Sequence, residues 1–205
     1  MRFQRNEGLE ESLLDEMLER NRDERVQPSV TTLIYCLTKG YYDNTMKIQP
    51  SRKTKLYFVI GLGLESVLVK PKGIQAEGER DGIHYHIDSL DYESLFELKS
   101  TRQGPKSTPN EFSPAWHKQI KGYLYASDSG TKATLAVLHI IQPGIAVWEL
   151  EYEQGEIDYN WAWLLERKVV WDQAIETNTP PTPFQYNEDW ECRECVYKTL
   201  CEANK

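Results

Sequence analysis

Residues 88–123 constrain this chain more than any other stretch. They read DSLDYESLFELKSTRQGPKSTPNEFSPAWHKQIKGY. Asp88 is followed nine residues later by Glu97, and Lys99 stands two beyond that. The run 94–99, SLFELK, reads as a short strand, whose side chains alternate between two faces. Leu95, Glu97 and Lys99 therefore share one side, and Phe96 and Leu98 the other. A carboxylate at Glu97, with a second on a neighbouring strand, suits a divalent cation. The adjacent ammonium of Lys99 then faces an attacking water. Downstream, Gln119 and Tyr123 stand four apart on an expected helix, so both project from one face. A Glu-x-Lys on a strand is by itself an ordinary surface pair, and Gln-x3-Tyr is equally common on helices. The series Asp-x8-Glu-x-Lys followed by Gln-x3-Tyr is much rarer.

The 205 residues suffice for one compact domain. No apolar run approaches the ~20 residues of a membrane helix, and MRFQRNEGLEESLLDEML carries no apolar signal core, so the expectation is a cytoplasmic protein without a membrane partner. A net charge of −8 argues against a charge-driven coat for nucleic acid, but not against a site built from carboxylates. Local basic groups occur at Lys99, Arg102 and Lys106, and at Lys118 and Lys121, where they could meet phosphates.

Along the chain, 8–22 carries a helical stripe of Leu9, Leu13, Leu14, Met17 and Leu18, expected to pack on the body. Residues 28–42 read as one helix capped by Ser29 and ended by Gly40, and 43–54 as partly extended. The run 55–70, KLYFVIGLGLESVLVK, is apolar enough for either a buried helix or a strand. Glu65 is its only charge between Lys55 and Lys70, and such a carboxylate needs a cation or a salt bridge as partner. Asp81-Gly82 signals a hairpin within a meander over 72–100. On its second strand His84, His86 and Asp88 share one parity; a solvated face is the simpler reading for His84, while His86 stands near Asp88. A helix over 115–127, strands over 134–141 and 145–152, and a long helix over 157–176 follow. In that last helix Trp161, Leu164, Leu165 and Val169 are expected to face inward.

Four cysteines remain. Cys192-x2-Cys195-x5-Cys201 is a compact group of soft ligands, and Cys36 is the remaining thiol. Four thiolates suit Zn²⁺ or an iron–sulfur cluster, and ligand chemistry alone leaves both open. A four-thiolate zinc site usually shows two Cys-x-x-Cys knuckles, whereas this chain has one.

The Asp-x8-Glu-x-Lys and Gln-x3-Tyr series resembles the active-site core of PD-(D/E)XK nucleases of the RecB-like branch. The segment Ser29-Val-Thr-x-Leu-x-x-Cys36-x-x-Lys39, together with the late cysteine trio, resembles the members that carry an iron–sulfur cluster. Without a helicase motor, the chain is most similar to the CRISPR-associated exonuclease Cas-four family. The resemblance runs from Ser29 to Cys201 and leaves residues 1–27 outside.

It implies a single α/β domain of restriction-endonuclease-like fold: a mixed central sheet flanked by helices, with a nuclease core over 57–177. Segments 28–56 and 178–205 would be joined by a 4Fe–4S cluster on Cys36, Cys192, Cys195 and Cys201. Asp88, Glu97 and the Leu98 carbonyl would bind Mg²⁺ or Mn²⁺. Lys99 would orient the hydrolytic water, and Gln119 and Tyr123 would support the site and touch DNA. The implied reaction is exonucleolytic hydrolysis of DNA with single-stranded ends. The implied partner is the Cas integrase complex, with room for a homo-oligomer. Two positions depart from the family pattern. Glu65 stands where a histidine ligand is usual, and Tyr85 where glycine is usual three residues before the aspartate. A carboxylate at 65 still suits a hard cation.

Overall fold

The computed structural model describes residues 7–19, 27–46, 48, 50–68, 74–90, 95–104, 108–182, 190–193 and 195–203. Helices α1 (Glu7–Glu19), α2 (Val30–Ile34), α3 (Leu37–Met46) and α4 (Arg52–Leu68) come first. Strands β1 (Ile74–Arg80), β2 (Ile83–Leu90) and β3 (Leu95–Thr101) follow. Then come α5 (Pro114–Ser127), β4 (Lys132–His139), β5 (Gly144–Glu151), α6 (Gln154–Glu176), α7 (Trp190–Arg193) and α8 (Lys198–Ala203). The strands form one five-stranded mixed sheet in the order β1-β2-β3-β4-β5. Neighbours are antiparallel except β3 and β4, which run parallel with α5 as their crossover. The protein is thus a mixed α/β fold with an open sheet flanked by helices. No helix among the described residues is long and apolar enough to cross a membrane.

Local chemistry explains the elements that frame the sheet. Asp81 and Gly82 both adopt positive φ, 53° and 74°, as a tight two-residue hairpin turn requires. The Trp161 indole donates to Asp81 Oδ2 at 2.9 Å, which pins that turn to α6. The Ser29 hydroxyl accepts from Thr32 N–H and caps α2, as its position in the sequence indicates. Ser113 caps α5, with Pro114 at the first helical position where its missing N–H costs nothing. The core lies between the sheet and α2, α5 and α6. It is built from Leu33, Ile34, Ile83, Ile87, Leu95, Ile120, Leu124, Leu135, Trp161 and Leu164. Each such side chain contributes roughly 1.5–3 kcal/mol on leaving water.

Several expectations are corrected. Residues 28–42 are not one helix: it breaks at Tyr35–Cys36, and Gly40 lies inside α3 rather than at an end. The break has tertiary causes. Arg167 of α6 donates its Nε to the Leu33 carbonyl and a terminal nitrogen to the Tyr35 carbonyl, and Glu191 Oε2 accepts the Cys36 N–H. These partners replace the intrahelical bonds. Residues 43–46 and 52–54 are helical rather than extended, and the ambiguous apolar run is helix α4. α1 packs on α4, with Lys55 Nζ 2.7 Å from Asp15 Oδ1, yet Leu13 and Met17 remain half exposed. On α6, Trp161 and Leu164 are buried and Leu165 is partly so, but Val169 is 67% exposed. The inward stripe runs Ile157, Asn160, Trp161, Leu164, Arg167, Trp171 and Ala174, and Val169 falls off its period.

Candidate functional site

The site begins with an incomplete ladder. Among the described residues, β2 and β3 pair only at Ser89↔Phe96 and Leu90↔Leu95. Beyond Phe96 the strands splay, and the N–H of Leu98 loses its place in that ladder. Asp88 Oδ2 accepts it instead, at 2.8 Å. A buried main-chain donor seldom goes unpaired, and here a side chain supplies the acceptor that the neighbouring backbone does not. Asp88 and Glu97, on neighbouring strands, both face the opening this leaves. A cavity of about 420 Å³ occupies it, lined among others by His86, Asp88, Glu97, Leu98, Lys99, Gln119 and Tyr123.

Strand parity places the next groups. Glu97 is 2% exposed, and Lys99, on the same face, sets its Nζ 2.5 Å from Glu97 Oε1. The same ammonium donates to Gln119 Oε1 at 2.9 Å. Gln119 Nε2 in turn donates to the Tyr123 hydroxyl at 2.7 Å, the i,i+4 pairing that α5 makes available. Burial disfavours the charge on Lys99, but Glu97, by charge and hydrogen bond, together with Tyr123 and Asp88, outweighs it and holds the ammonium well above the ordinary lysine range. Lys99 is therefore a fixed cation near neutral pH. Burial, and after it the charge of Glu97, pushes the Tyr123 phenol up to about 12, so it stays protonated.

Tyr85, which replaces a glycine expected at that position, does not disturb β2. Its ring lies over Gly78 of β1, opposite in register, where a Cβ would meet the Tyr85 hydroxyl at 2.6 Å. The pairing stays regular from Ala76 to Arg80.

Helix α4 closes the opening from above. Phe58, Gly61 and Leu64, three apart along one helix face, line the cavity. A glycine inside a helix costs about 1 kcal/mol against alanine, and, the helix's own backbone and the adjacent residues aside, no atom of the described residues lies within 4 Å of where a Gly61 Cβ would sit. Tyr35 and Trp116 complete the rim, Trp116 braced against Phe112 with ring centroids 5.2 Å apart. Outside, Arg102 stacks over Tyr57, 5.3 Å from its centroid.

The structure thus brings together Asp88, Glu97, Leu98, Lys99, Gln119 and Tyr123. Glu65 belongs to α4, but its side chain lies outside the described residues. So does Lys106. His84 does not join the site and sits 3.3 Å from Glu79 across the hairpin, whereas His86 lines the cavity. Lys118 and Lys121 do not line it either. Lys118 lies over the Trp163 ring at 3.9 Å and Lys121 over Tyr152 at 5.5 Å. Sequence reading missed Thr31, Tyr35, Phe58 and Trp116. Trp116 was detectable three residues before Gln119 on the same helix face; Phe58 was hidden while α4 could be read as a strand.

The cysteines form a second locus. Cys36 is buried at the α2–α3 break, and its sulfur accepts the Lys39 N–H at 3.4 Å. The C-terminal segment docks there through Glu191, through the Tyr197 ring 5.2 Å from Tyr42, and through the Tyr197 hydroxyl 2.9 Å from Asp43. No disulfide joins any of the four cysteines. Burial raises Cys195, Lys39 opposes that, and Cys36 and Cys192 are near enough to add to it. The donor chemistry fits a thiophilic centre. Among the described residues, however, no group of three or more His, Cys, Asp or Glu side chains is arranged to hold a metal ion.

Fold and site together define a mixed α/β protein with a cation-and-carboxylate cavity at a strand splay. No family model and no curated protein matches the chain. It is similar to the solved structure described as the crystal structure of SSO0001, at 22% identity and a TM-score of 0.59, over 99% of this chain and 100% of that one. At that identity the likeness speaks for the fold alone.

Proposed function

We propose that this chain is a divalent-metal-dependent deoxyribonuclease of the RecB-like PD-(D/E)XK type, hydrolysing DNA phosphodiesters with a preference for single-stranded ends. One observation carries the reading: Asp88, Glu97 and Lys99 face one cavity, with Lys99 braced by Gln119 and Tyr123. Two carboxylates lining one cavity fit a hard cation. Asp88, Glu97 and the Leu98 carbonyl would hold Mg²⁺ or Mn²⁺, with Glu65 as a further candidate. When bound, that ion would polarise the phosphate and acidify a water.

The remaining work falls to the chain itself. Lys99, held by Glu97 and Gln119, would donate to the attacking water and balance charge on the phosphorane. Gln119 fixes the ammonium and Tyr123 fixes Gln119, which limits the reorganisation needed on substrate binding. Attack forms one P–O bond and breaks the bond to the leaving oxygen, and the proton of the water passes to solvent. Cys36, Cys192, Cys195 and Cys201 would hold a 4Fe–4S cluster, joining the early and late segments; no catalytic step depends on it. A role in trimming prespacer DNA beside the Cas integrase complex, in a cytoplasmic setting, is part of the same proposal and rests on resemblance.

The test is end-labelled DNA incubated with Mg²⁺ or Mn²⁺, comparing wild type with Lys99→Ala. Wild type shortens the labelled strand, and the variant binds it without shortening. Equal cleavage by both proteins would remove the assignment.

A further inference from the structure

The cavity holds more than carboxylates and an ammonium. From the open space at Gly61 and the aromatic side chains around it, we infer that α4 forms a slot for one unstacked nucleobase of single-stranded DNA, lying between Phe58 and Trp116. This deepens the nuclease reading and rests on it.

Three observations converge. Phe58 is 52% exposed although it lines a cavity, so its ring is presented to whatever enters. Gly61, one turn further along the same face, is not a close-packing glycine, since, the helix's own backbone and the adjacent residues aside, no atom of the described residues lies within 4 Å of its would-be Cβ. The helix carries an unfavourable residue there and leaves its space open. Trp116 offers a second ring from α5, held by Phe112. The cavity of about 420 Å³ falls in the ordinary range for bound small molecules, about 300–1,000 Å³.

Charge selects the occupant. Lys99 inside the cavity and Arg102 over Tyr57, the residue before Phe58 on α4, are cations that suit successive phosphates of one strand. Aromatic stacking on bases is tolerant of sequence and needs an exposed π-face. A base inside a duplex does not present one, so the slot favours strands that are already unpaired. Phe58 and Gly61 are then specificity-determining positions, whereas Lys99 acts on the scissile bond.

The experiment uses the full chain and a fluorescein-labelled oligothymidylate of about 12 nucleotides, near the single-strand site sizes of stacking proteins. Binding is read in EDTA, where no cleavage occurs, against a blunt duplex. Wild type prefers the single strand. Phe58→Ala weakens single-strand binding about 5- to 100-fold, the cost of one lost stacking partner, and Phe58→Tyr restores it. Gly61→Leu fills the slot and weakens binding comparably, yet melts at or above the wild-type temperature because leucine is the better helix former. Unchanged affinity in both Phe58→Ala and Gly61→Leu, or equal binding of duplex and single strand, overturns the slot. Cleavage by wild type with Mn²⁺, absent in Lys99→Ala, is measured in parallel; if it persists while the slot variants bind normally, the slot alone is lost. A wild type that neither binds nor cleaves overturns both.

Discussion

Asp88 Oδ2 accepts the main-chain N–H of Leu98 at 2.8 Å, across the gap where β2 and β3 part. That one bond gives Asp88 two separable properties: an acceptor that stabilises the splay, and a negative charge facing the cavity. Asp88→Asn keeps an acceptor and removes the charge. Its stability is expected within about 1 kcal/mol of wild type, with DNA cleavage lost. Asp88→Ala removes both and costs about 1–3 kcal/mol, since it strands a main-chain donor. Urea denaturation beside a nuclease assay separates the two effects; equal destabilisation by Asn and Ala would contradict the acceptor role.

Lys99→Ala leaves the Glu97 carboxylate, 2% exposed, without its ammonium at 2.5 Å. Cleavage is expected to fall at least about 100-fold, as when a preorganised charge-stabilising donor is removed. Stability falls too, by at most about 3–5 kcal/mol, the range for breaking a buried pair. The double variant Glu97→Gln/Lys99→Met, which removes the charge left behind, should recover much of that stability and none of the activity. Melting curves with single-turnover rates check both halves.

Alkaline pH tests the buried phenols. The folded-state pKa of Tyr123 is raised from 10.0 to about 12, and that of Tyr152 is raised as well, chiefly by burial. A raised folded-state value means the native protein holds its proton more tightly than the unfolded chain. The resulting stability is complete below pH 10 and drains away as pH rises from about 10 towards 12. Tyr123→Phe is expected to flatten this decline. Thermal melting from pH 8 to 11.5 reads it, and parallel curves for wild type and variant would rule out Tyr123 as the source.

The cysteine locus makes a compositional prediction. Protein purified without oxygen is expected to be brown and to contain iron and acid-labile sulfide. Cys195→Ser should lose that colour and melt earlier, because the proposed cluster would close a long loop between residues 36 and 201. Colourless, fully folded protein loaded with zinc would replace the cluster with a zinc site.

How far the chain could be read depended on the range of the forces involved. The Glu97–Lys99 relation follows from strand parity and the Gln119–Tyr123 bond from helical pitch. The Asp81-Gly82 turn follows from the two positive φ angles a tight hairpin needs. These are short-range rules, written in spacing. Val169 shows their limit, because its exposure depends on where the whole α6 stripe meets the body. The break at Tyr35–Cys36 was invisible, since the groups that cause it, Arg167 and Glu191, lie more than 130 residues away.

Local order in this protein is thus a property of neighbouring residues: which faces alternate, where a helix is capped, which two side chains share a turn. The cavity is a property of the packed molecule. It exists because β2 and β3 separate after two residue pairs, because Asp88 rather than a backbone carbonyl satisfies Leu98, and because α4 lies over the opening with glycine at its centre. Strand divergence and helix placement result from summed contacts across the whole core, and no spacing along the chain encodes them directly.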